Sequence, residues 1–181
     1  MNMPPGAVKA LPLLALAFAS CRQPTTARAP TPMAATQLAT GSTPPHGGRF
    51  VAPADGTALI FCGSPGLSAN IKLDSAGAGV TTFAMGTAAV AARGTNTGAH
   101  AADDEAVYFL RGEGRAFVGT DTAEVRPGLM MYVPRGVRHG FISTGDTPLE
   151  FLWTIAPGQL AAGFRARGVA PGTPCPPAPA R

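Results

Sequence analysis

Charge is scarce in this chain: Asp, Glu, Lys and Arg make up 13% of its 181 residues, about half of the roughly 25% found in an ordinary soluble domain. Only two lysines occur, Lys9 and Lys72, and the arginines are scattered along the sequence. The net charge of +4 therefore gathers into no basic stripe interleaved with aromatics, and nucleic acid drops out as a partner. No apolar run approaches the roughly twenty residues that a membrane-spanning helix needs. There is no glycine-rich loop opening a helix after a strand, no Gly-x-Ser-x-Gly elbow and no Cys-x-x-Cys pair. Phosphate-loop, serine-hydrolase and thioredoxin chemistry thus lack their residues. Internal repeats and heptads are missing as well.

What is plentiful is turn chemistry, with 23 glycines and 19 prolines in a chain that is 45% hydrophobic. Such a length supports one domain with a real core and is too short for two ordinary ones. Short β-like runs at 57–62, 68–74, 80–94, 105–119, 129–136, 137–143 and 149–156 are separated by Gly, Pro, Asn and Asp. Close, regular spacing with no helices between them predicts an all-β sandwich or barrel. Only AAVAA (88–92) and the stretch 157–167 have helical composition, and the latter follows a Pro-Gly pair as one short closing helix.

The two ends read differently. Lys9, then the apolar run ALPLLALAFAS at 10–20, then Cys21 has the order of a secretory signal. Ala19-Ser20-Cys21 resembles a bacterial lipoprotein box, with Phe18 where leucine is usual. That resemblance implies a signal peptide over 1–20, lipid on Cys21, and an exported domain tethered to a membrane in the periplasm or at the cell surface. Plain secretion and a cytoplasmic chain with a buried Cys21 are the alternatives. Residues 21–55 are rich in Pro, Thr and Ala and nearly free of large apolar side chains, which predicts a flexible stalk. His46 falls in it and reads as a solvated loop residue. The tail 168–181 is also Pro-rich. With Cys21 lipidated, Cys62 and Cys175 remain, an even number in an oxidising compartment. They are expected to form a disulfide pinning the tail to the domain, the alternative being two free thiols.

Two histidines fall into an ordered pattern. Glu105 follows His100 by five positions and Gly112 follows by seven more; further on come Gly128, Pro134, Gly136 and His139. These stretches resemble the two motifs of the cupins. The second is matched through His139, with Ser143 at its final asparagine position. The first is matched at His100, Glu105 and Gly112, with Gly98 in place of its earlier histidine. EAVYFLRGEG is similar to the glutamate-led strand of small bacterial cupins of the type-2, quercetin-dioxygenase-like group. PGQLAAGFRARG resembles the helix that follows the barrel there. The resemblance covers residues 56–167 and implies a small jelly-roll, or double-stranded β-helix, barrel with one short C-terminal helix. It also implies a small-molecule ligand or substrate and a homodimer formed through an edge sheet.

Alternation along strands places Glu105, Val107 and Phe109 on one face, and His139, Phe141 and Ser143 on one face of theirs. A carboxylate among aromatics inside a barrel needs a cation or donors to offset its burial. Two imidazoles and a carboxylate suit one divalent transition metal, whether iron, manganese, nickel, copper or zinc. His100, Glu105 and His139 are the candidate ligands, and Glu105 could alternatively swing off the metal to act as general base. The other outcome is a barrel whose polar groups hold an organic ligand or one another. Asp103 and Asp104 flank Glu105 and could substitute as ligands, but read as solvated loop acids; Arg135 and Arg138 read as surface residues. Phe109, Phe141, Phe151 and Trp153 read as core or as walls of an aromatic pocket. Three functions follow: a dioxygenase-like oxidoreductase acting on a small aromatic or enolic substrate, a non-catalytic small-ligand lipoprotein, or an isomerase acting on sugars.

Overall fold

In the computed structural model of the chain, residues 48–64 and 66–175 are described. The expected signal peptide, Cys21, His46, most of the stalk and the last residues of the tail lie outside them. Among the described residues ten strands form two antiparallel sheets. The larger is built from β1 (Thr57–Ile60), β2 (Leu67–Leu73), β3 (Ala84–Val90), β10 (Leu149–Ala156), β5 (Asp104–Arg111) and β8 (Met130–Val133), in that order. The smaller runs β4 (Thr95–Gly98), β9 (His139–Ser143), β6 (Gly114–Val118), β7 (Asp121–Val125). The last strand, β10, inserts between β3 and β5, so chain order and sheet order diverge as in a jelly roll.

Inner faces follow the two-residue period. Leu149, Phe151, Trp153 and Ile155 of β10 are buried, as are Glu105, Val107 and Phe109 of β5. Phe151 stacks on Phe141 of β9 with ring centroids 4.5 Å apart, and Phe109 meets both rings edge-on or tilted. These aromatics join the two sheets, each large side chain contributing roughly 1.5–3 kcal/mol of burial. The turn from β5 to β6 passes through Gly112 at φ 81°, where a β-carbon would stand 2.4 Å from the Pro148 carbonyl oxygen. No other residue fits there.

One expectation from composition is corrected, and two strands lie outside the β-like runs. The run AAVAA forms no helix: Ala88, Ala89 and Val90 end β3 and pair with both β2 and β10. Alanine's helical preference is weak, and the fully buried Val90 is better satisfied in the sheet. The segments at Thr95–Gly98 and Asp121–Val125, polar and mostly exposed, are strands.

The closing helix α2 (Leu160–Arg167) covers one end of the barrel. Its first residues, after Pro157-Gly158, offer no side-chain cap of their own. Asp103 supplies it instead, accepting from the backbone N–H groups of Gly158, Gln159 and Leu160 at 2.6, 2.9 and 3.1 Å. The other end is held by Arg165. Its guanidinium donates to both carboxylate oxygens of Asp74 at 2.7 and 3.1 Å and to Thr57 Oγ1 at 2.7 Å. Asp74 also caps the single-turn helix α1 (Ser75–Ala78) through Gly77. Beyond α2, Val169 bridges Ile60, and Cys175 is bonded to Cys62, with Cα atoms 5.5 Å apart.

Candidate metal centre

The site is assembled where β5 and β9 face each other across the barrel. Glu105 is the second residue of β5 and points inward. Pro134 fixes one side of a tight turn and Gly136, at φ 77°, the other, delivering His139 as the first residue of β9. The Gly136 N–H donates to the His100 carbonyl oxygen at 2.8 Å, tying the turn to the loop that carries the other imidazole. His139 lies in register with Gly98 of β4, two residues before His100.

The three candidate side chains meet. His100 Nε2 and His139 Nε2 each stand 3.2 Å from Glu105 Oε2, and the two imidazole rings are 4.7 Å apart. Their ligand atoms lie within 4.8 Å of one another, close enough that one ion could be held by all three. Glu105 and His139 are buried and His100 partly so. Burial pushes the Glu105 carboxyl upward, yet the two imidazoles bonded to it hold it below its ordinary value. His139 is the mirror case: burial opposes its charge, and Glu105 with the Val137 carbonyl holds it above the ordinary imidazole value.

The chemistry of this donor set fits a metal. His139 Nδ1 can only donate to the Val137 carbonyl oxygen, 3.1 Å away, which leaves Nε2 facing Glu105. Facing a carboxylate oxygen, that nitrogen needs either a second proton or a cation between them. A β-carbon at Gly98 would meet no heavy atom within 4 Å, so the place of a fourth protein ligand is open space on the cavity wall.

The cavity holds about 520 Å³, within the range of small-molecule sites. Its polar floor is His100, Glu105 and His139; Phe61, Leu67, Phe141, Phe151 and Trp153 form apolar walls. Phe141, Phe151 and Trp153 are therefore both core and pocket, whereas the fully buried Phe109 packs behind them. Trp153 Nε1 is buried with no hydrogen-bond partner among the described residues, an unusual state for an indole N–H.

The neighbouring acids divide. Asp103 is buried, so its reading as a solvated loop acid is overturned: the three N–H groups of α2 offset the burial of its charge. The missing signal was an absence, a helix start at 157–160 with no Ser, Thr, Asp or Asn to cap it. Asp104 is on the surface side and pairs with Arg135, whose Nη2 is 2.8 Å from Oδ2 and whose backbone N–H donates to Oδ1 at 2.8 Å. Arg138 lies over the Phe117 ring at 5.3 Å. Ser143 is buried and its Oγ donates to the Thr147 carbonyl at 3.3 Å, far along β9 from the imidazoles.

Residues 87–155 match the Cupin domain family model, and the architecture is that of an all-β cupin jelly roll. Solved structures show the same fold. The polyketide cyclase RemF from Streptomyces resistomycificus aligns at 23% identity over 60% of this chain and 79% of its own, with a TM-score of 0.53. A predicted oxalate decarboxylase from Thermotoga maritima aligns at 21% identity over 60% and 98%, TM-score 0.52. KdgF from Halomonas sp. aligns at 12% identity over 63% and 99%, TM-score 0.53. A search among curated proteins finds no match to the sequence. These likenesses define the fold, and a His/Glu/His cluster able to hold a divalent metal is set within it.

Proposed function

We propose that this cupin is a metal-dependent oxidoreductase, dioxygenase-like, acting on a small aromatic or enolic substrate in the cavity above His100, Glu105 and His139. One observation carries the reading: a buried carboxylate sits 3.2 Å from two imidazole nitrogens at the floor of an aromatic-walled cavity of about 520 Å³. A divalent transition metal there would supply Lewis acidity and, if redox-active, a route for electrons to dioxygen. The chain's own residues do the rest. His139, oriented by Val137, and His100, held by the Gly136 turn, present Nε2 to the centre. Glu105, if it swings off the metal, is the group that would take a proton from an acidic hydroxyl of the substrate. Phe141, Phe151 and Trp153 exclude water and offer flat faces to an aromatic or enolic plane. Aerobic incubation of the iron- or copper-loaded protein with simple catechols and enediols should consume oxygen, and His139→Ala should abolish that uptake. Binding of such compounds without oxygen consumption under any metal would overturn the reading.

The second reading, a small-ligand-binding lipoprotein without catalysis, is favoured by Gly98, which stands where the cupin motif has a histidine. In both readings the domain is exported and tethered by lipid on Cys21, residues 21–55 acting as a spacer. The Cys62–Cys175 bond supports an oxidising compartment. A homodimer through the β8 edge is supported by Met130 and Tyr132, 68% and 62% exposed on its outer face, where a lone monomer would leave apolar area in water.

A further inference from the structure

The roof of the cavity carries a charge that the metal centre does not use. Leu160, Gly163, Phe164 and Arg167 of α2 line the cavity, and their spacing of three, four and seven puts them on one helix face. Leu160 and Phe164 continue the apolar wall; Phe164 packs edge-on against Trp153 at 5.6 Å. Arg167 ends this face. Its guanidinium folds back over Gly163, where a β-carbon would come within 3.2 Å of Nη1, so the glycine gives it a seat beside the cavity.

This arginine has no acidic partner among the described residues. All ten acidic side chains of the protein lie among the described residues, and none forms an ion pair with Arg167. The acids within the cavity lining are committed elsewhere, Asp103 to three backbone N–H groups and Glu105 to the imidazoles. Arg165, two residues away, shows the alternative, with its guanidinium bound by Asp74 and Thr57. A cation near a helix C-terminus favours the helix dipole, which accounts for the charge but not for its place on the cavity face.

We infer that Arg167 is a specificity residue that receives a carboxylate of the substrate, so that the ligand is an aromatic or enolic acid rather than a neutral phenol or sugar. This rests on the cavity serving as the substrate site proposed above. A guanidinium presents a planar fork of donors that matches a carboxylate in two parallel bonds. The aromatic walls would hold the body of such a ligand, and its oxygen-bearing end would lie toward His100, Glu105 and His139.

The test uses 3,4-dihydroxycinnamate and its methyl ester, which share the catechol and differ only in the carboxylate. Both are titrated by calorimetry into the full chain loaded with redox-silent zinc. The acid should bind about tenfold more tightly than the ester to the native protein, the scale of one charge-assisted contact. In Arg167→Gln the two should bind alike, at the native affinity of the ester, and Arg167→Lys should restore part of the preference. Equal binding of acid and ester to the native protein, or a preference that survives Arg167→Gln, would overturn the inference. If the preference persists in protein that takes up no zinc, Arg167 is supported while the metal reading fails, which separates the two.

Discussion

Glu105 shows how much a single position depends on its two neighbours. Its buried carboxylate is kept in the charged form because two imidazoles, 3.2 Å away on either side, offset a desolvation that would otherwise neutralise it. Gly98 is the counterpart, a residue whose contribution is an opening. It pairs in register with His139, and a β-carbon there would meet nothing within 4 Å, so a larger side chain has room. Gly98→His should therefore add a third imidazole to the cluster and tighten zinc binding about tenfold or more, measured by competition against a chromogenic chelator. Unchanged affinity would mean that position 98 does not face the ion. Much of this could be read in the sequence, because motif spacing encodes which residues a strand and a tight turn bring to one face. Asp103 and Arg167 could not be read so. Each acts through a partner more than fifty residues away or through its place on a cavity wall, and no local pattern marks either.

At the scale of elements, strands with alternating apolar residues, such as 149–156, were legible because their pattern is their burial. β4 and β7 were not: with few buried side chains, their pairing is written in backbone hydrogen bonds to β9 and β6, which no side-chain pattern records. AAVAA misled because alanine suits either state and the sheet neighbours decide. Helix α2 was visible, but its anchoring was not. That anchoring has a pH signature. The Arg165 guanidinium is the main cause that holds Asp74 below its ordinary value of 3.8, so the folded carboxylate releases its proton more readily than the unfolded one. The stabilisation is therefore complete above that ordinary value and is lost as pH falls below it through the lower folded value. Urea unfolding at neutral pH and near pH 3 should show a smaller acid-induced loss of stability in Asp74→Asn than in the native protein. An identical acid-induced loss in the two would remove Asp74 as a contributor.

The described residues form a barrel with an aromatic core between its two sheets and a cavity roofed by a short helix strapped on both sides. Asp103 ties the start of the roof to the loop of His100; Arg165, the Ile60–Val169 bridge and the Cys62–Cys175 bond tie its end. The roof and the three polar residues are thus held as one unit around the cavity, which is the preorganisation that a site for a small ligand requires. On the proposed reading this unit holds a metal at His100, Glu105 and His139. Elemental analysis of the purified chain after loading with divalent transition metals and exhaustive dialysis tests it most directly. Close to one ion per chain is expected, falling to about a tenth or less in His139→Ala while the circular dichroism of the barrel is retained. A native chain that keeps no stoichiometric metal, or a His139→Ala chain that keeps as much as the native, would contradict it.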